Sequence, residues 1–173
     1  AQKEVKLELA EGDMAEAERL LKKAGLASCG FLAGICPSAL RKEKRWSAES
    51  YADIVKLFCV NAGAVVVGGP DDKAVADEIV GLAGTGLKAA AFTGQGIRVS
   101  AGIVQRCDVL VSNDTGLKHV AVALGVPTVT LWEKEGLAEW HPYGLESRHR
   151  IVKLEEATPE NVFKAATEAS REK

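Results

Sequence analysis

Residues 109–121 read VLVSNDTGLKHVA, and this stretch decides the fold. Its apolar start predicts a buried strand, the NDTG run at 113–116 predicts a tight turn, and the residues that follow predict a helix. A small residue at a helix N-terminus leaves several backbone N–H groups directed at one spot, and the helix dipole makes that spot attractive to anions. The turn therefore predicts a binding site for a phosphate-bearing ligand.

Length, charge and cysteine usage narrow the class of protein. The 173 residues suffice for one domain with a single core. The net charge of −2 provides no field that would recruit nucleic acid or an anionic membrane, and the longest apolar stretches are too short to cross a bilayer. The four cysteines show no C-x-x-C spacing and the three histidines show no metal-ligand spacing. This pattern predicts reduced core thiols in a cytoplasmic protein and no metal site.

Strand and helix signals alternate along the chain, after a first helix predicted over 13–24 with Asp13 as its N-cap. The strands are predicted over 29–34, 63–68, 87–92, 108–112, 127–132 and 149–153. The helices are predicted over 47–60, 72–82, 98–106, 116–124 and 159–171, with start signals at Ser47 and at Thr158-Pro159. Because the strands are near-continuous apolar runs, this order predicts an open parallel α/β sheet with helices on both faces. Ligands of such sheets bind beyond the carboxyl ends of the strands.

The loop after the first strand is strongly basic. Residues 36–46 read CPSALRKEKRW, with four basic residues in the five positions before Trp46. Such a cluster could clamp a diphosphate, with the Trp46 ring covering a ligand ring or the sheet edge. The alternative is a solvated charged loop in which Trp46 packs as a plug. The residues alone leave both interpretations open.

Two glycine-containing loops follow the next two strands. Residues 68–72, GGPDD, permit close backbone approach, and an acidic residue placed after a strand can accept hydrogen bonds from ribose hydroxyls. The alternative is a plain turn in which Asp71 or Asp72 caps the next helix. Residues 93–96, TGQG, are a weak signal, because most such loops are only turns. No G-x-G-x-x-G stands between a strand and a helix and no P-loop sequence occurs, which disfavours a nicotinamide dehydrogenase.

The loop after the fourth strand carries the polar residues of the opening stretch. Asp114 or Thr115 is predicted to cap the helix, a structural role that does not exclude contact with a ligand. His119, one turn into the helix, is predicted either to face a phosphate or to pack. No nucleophile elbow is present.

Together these segments resemble glycosyltransferase family 9, the ADP-heptose:lipopolysaccharide heptosyltransferases. The signature lies in residues 112–128, and its specific part is the Asp-Thr-Gly run at 114–116 followed by His119. The loop at 37–46 is similar to the family's Pro-Gly-Ala…Lys-Arg-Trp-Pro loop. Further segments that fall in the family's order are 68–71, 93–94 and 142–144.

The resemblance implies a Rossmann-like three-layer domain, the C-terminal half of a two-domain GT-B glycosyltransferase. Residues 1–27 would form the interdomain connection and a leading helix, and residues 28–173 would form the donor nucleotide-sugar-binding domain. The implied activity is inverting transfer of heptose from ADP-heptose or a related nucleotide sugar to a lipopolysaccharide core acceptor. The acceptor and the general base would belong to the missing N-terminal domain, so this fragment alone is expected to be inactive and to hold no catalytic residue.

The resemblance also sets expectations for cofactors and location. No cofactor is implied, because the ADP-sugar is a substrate, and magnesium dependence is left open. The expected location is the cytoplasm, and the resemblance allows peripheral association of the full protein with the inner face of the cytoplasmic membrane.

Carried over residue by residue, the resemblance gives substrate-binding candidates: Lys44, Asp114, Thr115, Gly116, His119, Ser38 and Asp71. Lys44 would contact the phosphates, and residues 114–116 would meet the phosphates and the donor sugar. Asp71, or Asp72 in its place, would lie near the adenosine ribose.

The chain departs from the family pattern at Ser38, Ser47, Leu117-Lys118 and Glu133. A Cβ at position 38 or 133 could narrow the pocket, and Glu133 would repel a diphosphate if it pointed inward. Lys118 could compensate or could mark a different donor. Two alternatives therefore stay open: a GT-B glycosyltransferase that uses a UDP- or CMP-sugar, and a non-catalytic nucleotide-binding module.

Overall fold

The computed structural model describes residues 6–38, 45–133 and 147–172. The helices of these ranges are α1 (Glu11–Lys23), α2 (Ala48–Cys59), α3 (Lys73–Ala83), α4 (Ile97–Gln105), α5 (Gly116–Ala123) and α6 (Pro159–Ser170). The strands are β1 (Leu32–Cys36), β2 (Gly63–Gly68), β3 (Ala89–Thr93), β4 (Val109–Asn113), β5 (Thr128–Trp132) and β6 (His149–Lys153). Short 3-10 turns cover Pro70–Asp72 and Leu154–Glu156.

The strands form one open parallel sheet in the order β3-β2-β1-β4-β5-β6. The chain first moves outward from β1 through β2 to β3, then returns across the sheet to place β4 on the other side of β1. This reversal opens a crevice at the carboxyl ends of β1 and β4, where the connections leave toward opposite faces. The observed sheet confirms the predicted parallel α/β architecture.

Helices cover both faces of the sheet. On one face, α2, α3 and α6 contribute buried apolar residues, for example Ile54, Ile79 and Val162. On the other face, α1, α4 and α5 do so, for example with Leu21 and Ile103. β1, β2, β4 and β5 are buried along their whole length. The sequences of β1 and β2 contain only apolar residues and glycine, as expected of strands covered on both faces, whereas β4 and β5 also bury polar residues: Ser112, Asn113, Thr128 and Thr130.

The first strand and the first helix do not begin where the sequence predicts. The first strand begins at Leu32, not at residue 29, because its pairing is fixed by distant residues: Leu32 lies opposite Gly63 of β2, and its N–H donates to the Asp108 carboxylate at 2.8 Å. The first helix begins at Glu11 after Ala10, and Asp13 lies inside its first turn rather than at the N-cap. Asp13 still favours the helix there, since a negative charge near a helix N-terminus opposes the dipole's positive end.

The start signals of α2 and α6 are confirmed. The Ser47 hydroxyl accepts the Ser50 N–H at 3.1 Å. At the start of α6, the Thr158 hydroxyl accepts the Asn161 N–H at 3.2 Å while the Asn161 side chain accepts the Thr158 N–H at 3.0 Å. Each contact satisfies a backbone donor that the helix leaves without a partner.

Helix α1 packs against α4 as part of the same layered core. Ala17 and Leu21 are fully buried, and Glu18 pairs with Arg106 at 2.9 Å. The division of the chain at residue 27 into connection and domain stays a prediction. In the described ranges, no helix has the length and apolar character needed to cross a membrane.

The α1–α4 contact gives a matched stability test at two helical glycines. A Cβ on Gly102 would lie 2.8 Å from the Cβ of Ala17, whereas a Cβ on Gly81 would meet no atom within 4 Å. We expect Gly81→Ala to stabilise the protein by about 0.5–1 kcal/mol, because alanine loses less entropy than glycine on entering a helix. Gly102→Ala is expected to destabilise it by about 1 kcal/mol, because overpacking outweighs that gain. Urea unfolding measures both, and stabilisation by Gly102→Ala would contradict the tight α1–α4 contact.

Candidate functional site

Loops from four strands converge on a cleft at the carboxyl edge of the sheet. The cleft has a volume of about 260 Å³. Its described lining comes from the loops after β1, β2, β3 and β4: Ser38, Gly68, Gly69, Pro70, Gln95, Ile97, Ser100, Thr115, Gly116 and Leu117. The cleft therefore lies beside the point where the strand order reverses, the position at which sheets of this kind bind ligands.

The β4–α5 turn places a helix N-terminus in the cleft wall. Thr115 occupies the N-cap position and Gly116 is the first helical residue. The prediction that Asp114 or Thr115 caps the helix is correct in position, but the Thr115 side chain makes no capping hydrogen bond. A Cβ on Gly116 would meet no atom of the described residues within 4 Å, so among them the backbone faces open space there. The first turn can thus present N–H groups and the positive end of its dipole to an anion.

The Thr115 hydroxyl turns instead toward the end of β1. It lies 3.8 Å from the Cys36 Sγ, which in turn lies 3.5 Å from the Ser38 hydroxyl. Burial raises the pKa of the Cys36 thiol, so the group stays protonated and acts as a packed floor beneath the cleft. All four cysteines of the chain are free thiols.

A second polar contact ties β4 to the loop after β1. The Asn113 side-chain amide donates to the carbonyl oxygens of Pro37 and Ser38, both at 3.3 Å. Asn113 is buried, so this asparagine of the NDTG run holds the neighbouring loop rather than facing a ligand. The two strands that flank the crevice are thereby joined at their carboxyl ends.

The Asp72 carboxylate joins the loops after β1 and β2. It accepts the Gly69 N–H at 2.9 Å and the Arg45 guanidinium at 2.9 Å, and it also accepts the Ser38 hydroxyl. Asp72 occupies the position before α3 but makes no capping hydrogen bond with its side chain. Asp71 beside it is exposed, so the two aspartates of the GGPDD run differ in environment.

Lys118 is buried and does not face the cleft. Its side chain is 1% exposed, and its ammonium pairs with the Asp114 carboxylate, which is 40% exposed. The ammonium also lies 5.3 Å from the centre of the Trp132 ring at the end of β5, within the range of a cation–π interaction. The pair holds the Asp114 side chain over the first turn of α5 and balances its negative charge close to the anion-attracting N–H groups.

His119 is exposed on α5. Partial desolvation lowers the pKa of its imidazole below the ordinary value of 6.5, the Lys118 ammonium lowers it further, and the Asp114 carboxylate opposes both. The imidazole is therefore mostly neutral at pH 7, with one ring nitrogen able to donate a hydrogen bond and the other able to accept one.

The other sequence candidates divide into three groups. Lys44 and the closing loop at 142–144 lie outside the described residues. Trp46 is 8% exposed and packs edge-on against Tyr51, with 5.2 Å between the ring centres. Of the two interpretations offered for Trp46, the structure therefore supports packing as a plug. Glu133, just beyond β5, is exposed and is not among the described residues that line the cleft.

Sequence reasoning missed Gln95 and Ile97 as site residues. Gln95 lines the cleft, and its buried Oε1 has no hydrogen-bond partner among the residues that the structure describes. Ile97 lines the cleft although its side chain is 62% exposed, an unusual position for a large apolar residue. The signal that could have found both is their place directly after a strand of a parallel sheet, together with an isoleucine at a helix start.

Two solved structures share the fold. The glycosyl transferase family 9 protein from Veillonella parvula superposes with a TM-score of 0.89 at 24% identity, covering 100% of this chain and 55% of that one. The E. coli ADP-heptose LPS heptosyltransferase II superposes with a TM-score of 0.80 at 24% identity, covering 96% of this chain and 54% of that one. This likeness confirms the predicted fold, a three-layer α/β domain with an open parallel sheet.

The sequence comparison points to the same group of proteins. Lipopolysaccharide heptosyltransferase 2 of Salmonella typhimurium is 31% identical over 154 residues, which make up 86% of this chain and 42% of that protein. The chain thus spans about half the length of the proteins it matches. The model of glycosyltransferase family 9 (heptosyltransferase) matches residues 1–169, and the chain belongs to that family.

Proposed function

We propose that this chain is the donor-binding half of an inverting glycosyltransferase, one that transfers heptose from an ADP-sugar to a lipopolysaccharide core acceptor. The observation that carries the proposal is the cleft with the N-terminus of α5 in its wall. Family membership supports heptosyl transfer. The names of the relatives support the lipopolysaccharide acceptor and the ADP-heptose donor.

The division of labour follows from the family's two-domain plan. Residues 28–173 would bind the nucleotide sugar, and residues 1–27 would connect this domain to an N-terminal one. That second domain would carry the acceptor site and the general base. The full protein would then work in the cytoplasm, at the inner face of the membrane where its acceptor is exposed.

The reaction is a displacement at the anomeric carbon. An acceptor hydroxyl oxygen forms the new bond to the anomeric carbon while the bond to the phosphate oxygen breaks on the opposite face, which inverts the configuration. The general base takes the hydroxyl proton, and ADP leaves with the bonding electron pair. This chain's part would be to hold the diphosphate and to stabilise the charge that grows on it.

The residues in and around the cleft, together with Lys44, suit that part. The N–H groups of Gly116 and Leu117 and the ammonium of Lys44 would receive the diphosphate, and the Asp114–Lys118 pair would keep the turn free of net negative charge. Each fixed donor directed at developing negative charge typically contributes about 2.7–4 kcal/mol to lowering the barrier. His119 and Ser38 would complete the contacts, and Asp71 would accept from the ribose.

The proposal is tested by calorimetric titration of the chain with ADP, UDP, GDP and CMP, each with and without magnesium. We expect selective binding of ADP, with adenosine as a control that lacks the diphosphate and binds far more weakly. Selective binding of UDP or CMP would indicate that the donor is another nucleotide sugar, bound by the same fold. Absence of nucleotide binding would overturn the assignment of this cleft.

A further inference from the structure

We propose that Asp72 is a positioning residue, which ties Ser38 and Arg45, the described ends of the basic loop after β1, to Gly69 in the wall of the cleft proposed to receive the donor diphosphate. The inference rests on the proposed function, because it concerns how the same cleft is shaped. Asp72 would act through other residues rather than by touching the ligand itself.

The contacts of Asp72 reach the two described ends of that loop. Ser38 and Arg45 stand directly before and after residues 39–44, the segment that contains Lys44, and both donate to the Asp72 carboxylate. The ion pair with Arg45 is largely shielded from water, with the two side chains 17% and 9% exposed. Charge-assisted hydrogen bonds of a shielded carboxylate are among the strong ones in proteins. Asp72 therefore joins the two described residues that flank positions 39–44.

The same carboxylate shapes the cleft wall on its other side. The Gly69 N–H donates to it at 2.9 Å, and both Gly69 and Ser38 line the cleft. Gly68 leaves it room: a Cβ there would lie 2.7 Å from the Asp72 Cβ and 2.8 Å from its Oδ2. The first glycine of the GGPDD run is thus explained by the position of the aspartate.

A direct role of Asp72 at the ribose conflicts with these contacts. Oδ2 already accepts from Gly69 and Ser38, and Oδ1 accepts from Arg45. At 7% exposure the residue offers a ribose hydroxyl little access, and binding one would require opening the Arg45 pair. The two roles predict different effects of substituting Asp72. A positioning role predicts weaker binding of ADP with unchanged binding of adenosine, whereas a ribose-binding role predicts weaker binding of both.

The test measures ADP binding by calorimetry and adenosine binding by NMR shift titration in Asp72→Asn, Arg45→Gln and the double variant. We expect each single variant to weaken ADP binding about tenfold or more, a change of at least about 1.4 kcal/mol, while adenosine binding stays within about twofold. The double variant should lose no more affinity for ADP than the weaker-binding single variant, because both substitutions break the same ion pair. Asp77→Asn, an exposed aspartate of α3, is the matched control and should bind as the parent chain does.

The outcomes separate this inference from the proposed function. A parent chain that binds no ADP overturns the function. A parent chain that binds ADP, with variants that bind it equally well, overturns the positioning role alone. Equal losses of ADP and adenosine also overturn it, since they place Asp72 at the nucleoside. Circular dichroism checks folding, and Arg45→Gln, which keeps the carboxylate and its backbone contact, provides the comparison if Asp72→Asn does not fold.

Discussion

Gly116→Phe is expected to abolish ADP binding, lowering the affinity by more than about a hundredfold, while the domain stays folded. The substituted side chain would start from a Cβ with no atom of the described part of the chain within 4 Å. It would therefore enter the cleft that Gly116 lines rather than strain the core. The ring would cover the N–H groups at the start of α5 and occupy the space proposed for the diphosphate. Calorimetric titration with ADP measures the effect.

The matched control is Gly81→Phe, on α3. Gly81 is also helical, exposed and free of neighbours around a substituted Cβ, but it lies outside the cleft lining. This variant should bind ADP as the parent chain does. If Gly116→Phe bound ADP normally, the N-terminus of α5 would not be the phosphate site.

Asp114→Asn is expected to lower the free energy of unfolding by about 2–3 kcal/mol. The substitution removes the Asp114 carboxylate from the Lys118 ammonium, which is 1% exposed and close to the positive end of the α5 dipole. Removing one partner of a fully buried pair typically costs about 3–5 kcal/mol. We expect a smaller loss because Asp114 is 40% exposed and water can reach the gap. Urea unfolding measures the change.

Substitution of Lys118, the other member of the pair, should change the free energy of unfolding much less. Lys118→Met removes the buried charge and keeps an unbranched side chain against the Trp132 ring, and the half-exposed Asp114 can be hydrated, so we expect a change within about 1 kcal/mol. Asp53→Asn, which breaks the exposed pair with Lys56, is the surface control and should cost about 0.5 kcal/mol or less. A larger loss in Lys118→Met than in Asp114→Asn would contradict this account of the pair.

The sequence predicts the order of strands and helices, because the signals that mark these elements are local. β2 and β6 have the predicted bounds, and the other elements begin and end within about three residues of prediction. Unbroken apolar runs mark strands buried on both faces, and hydroxyl caps at Ser47 and Thr158 mark helix starts. The start of β1 was misplaced because the Asp108 carboxylate, 76 residues away, determines it. Periodicity contains no information about such a partner.

For the site, too, local features could be predicted from the sequence and long-range contacts could not. The Asn-Asp-Thr-Gly turn was found because a strand, a turn and a helix follow one another within one short segment. The sequence does not predict the contacts of Asp72 with Ser38 and Arg45, because these partners lie 34 and 27 residues away along the chain. They meet Asp72 only when β1 and β2 pair. The burial of Lys118 was also missed, since an isolated lysine on a short helix is ordinarily solvated.

The most direct test of the account is a crystal structure of the chain with ADP. We predict that oxygens of the diphosphate lie about 3 Å from the backbone nitrogens of Gly116 and Leu117, inside the cleft between the β1 and β4 loops. A diphosphate bound away from the N-terminus of α5, with this cleft empty, would contradict the central claim.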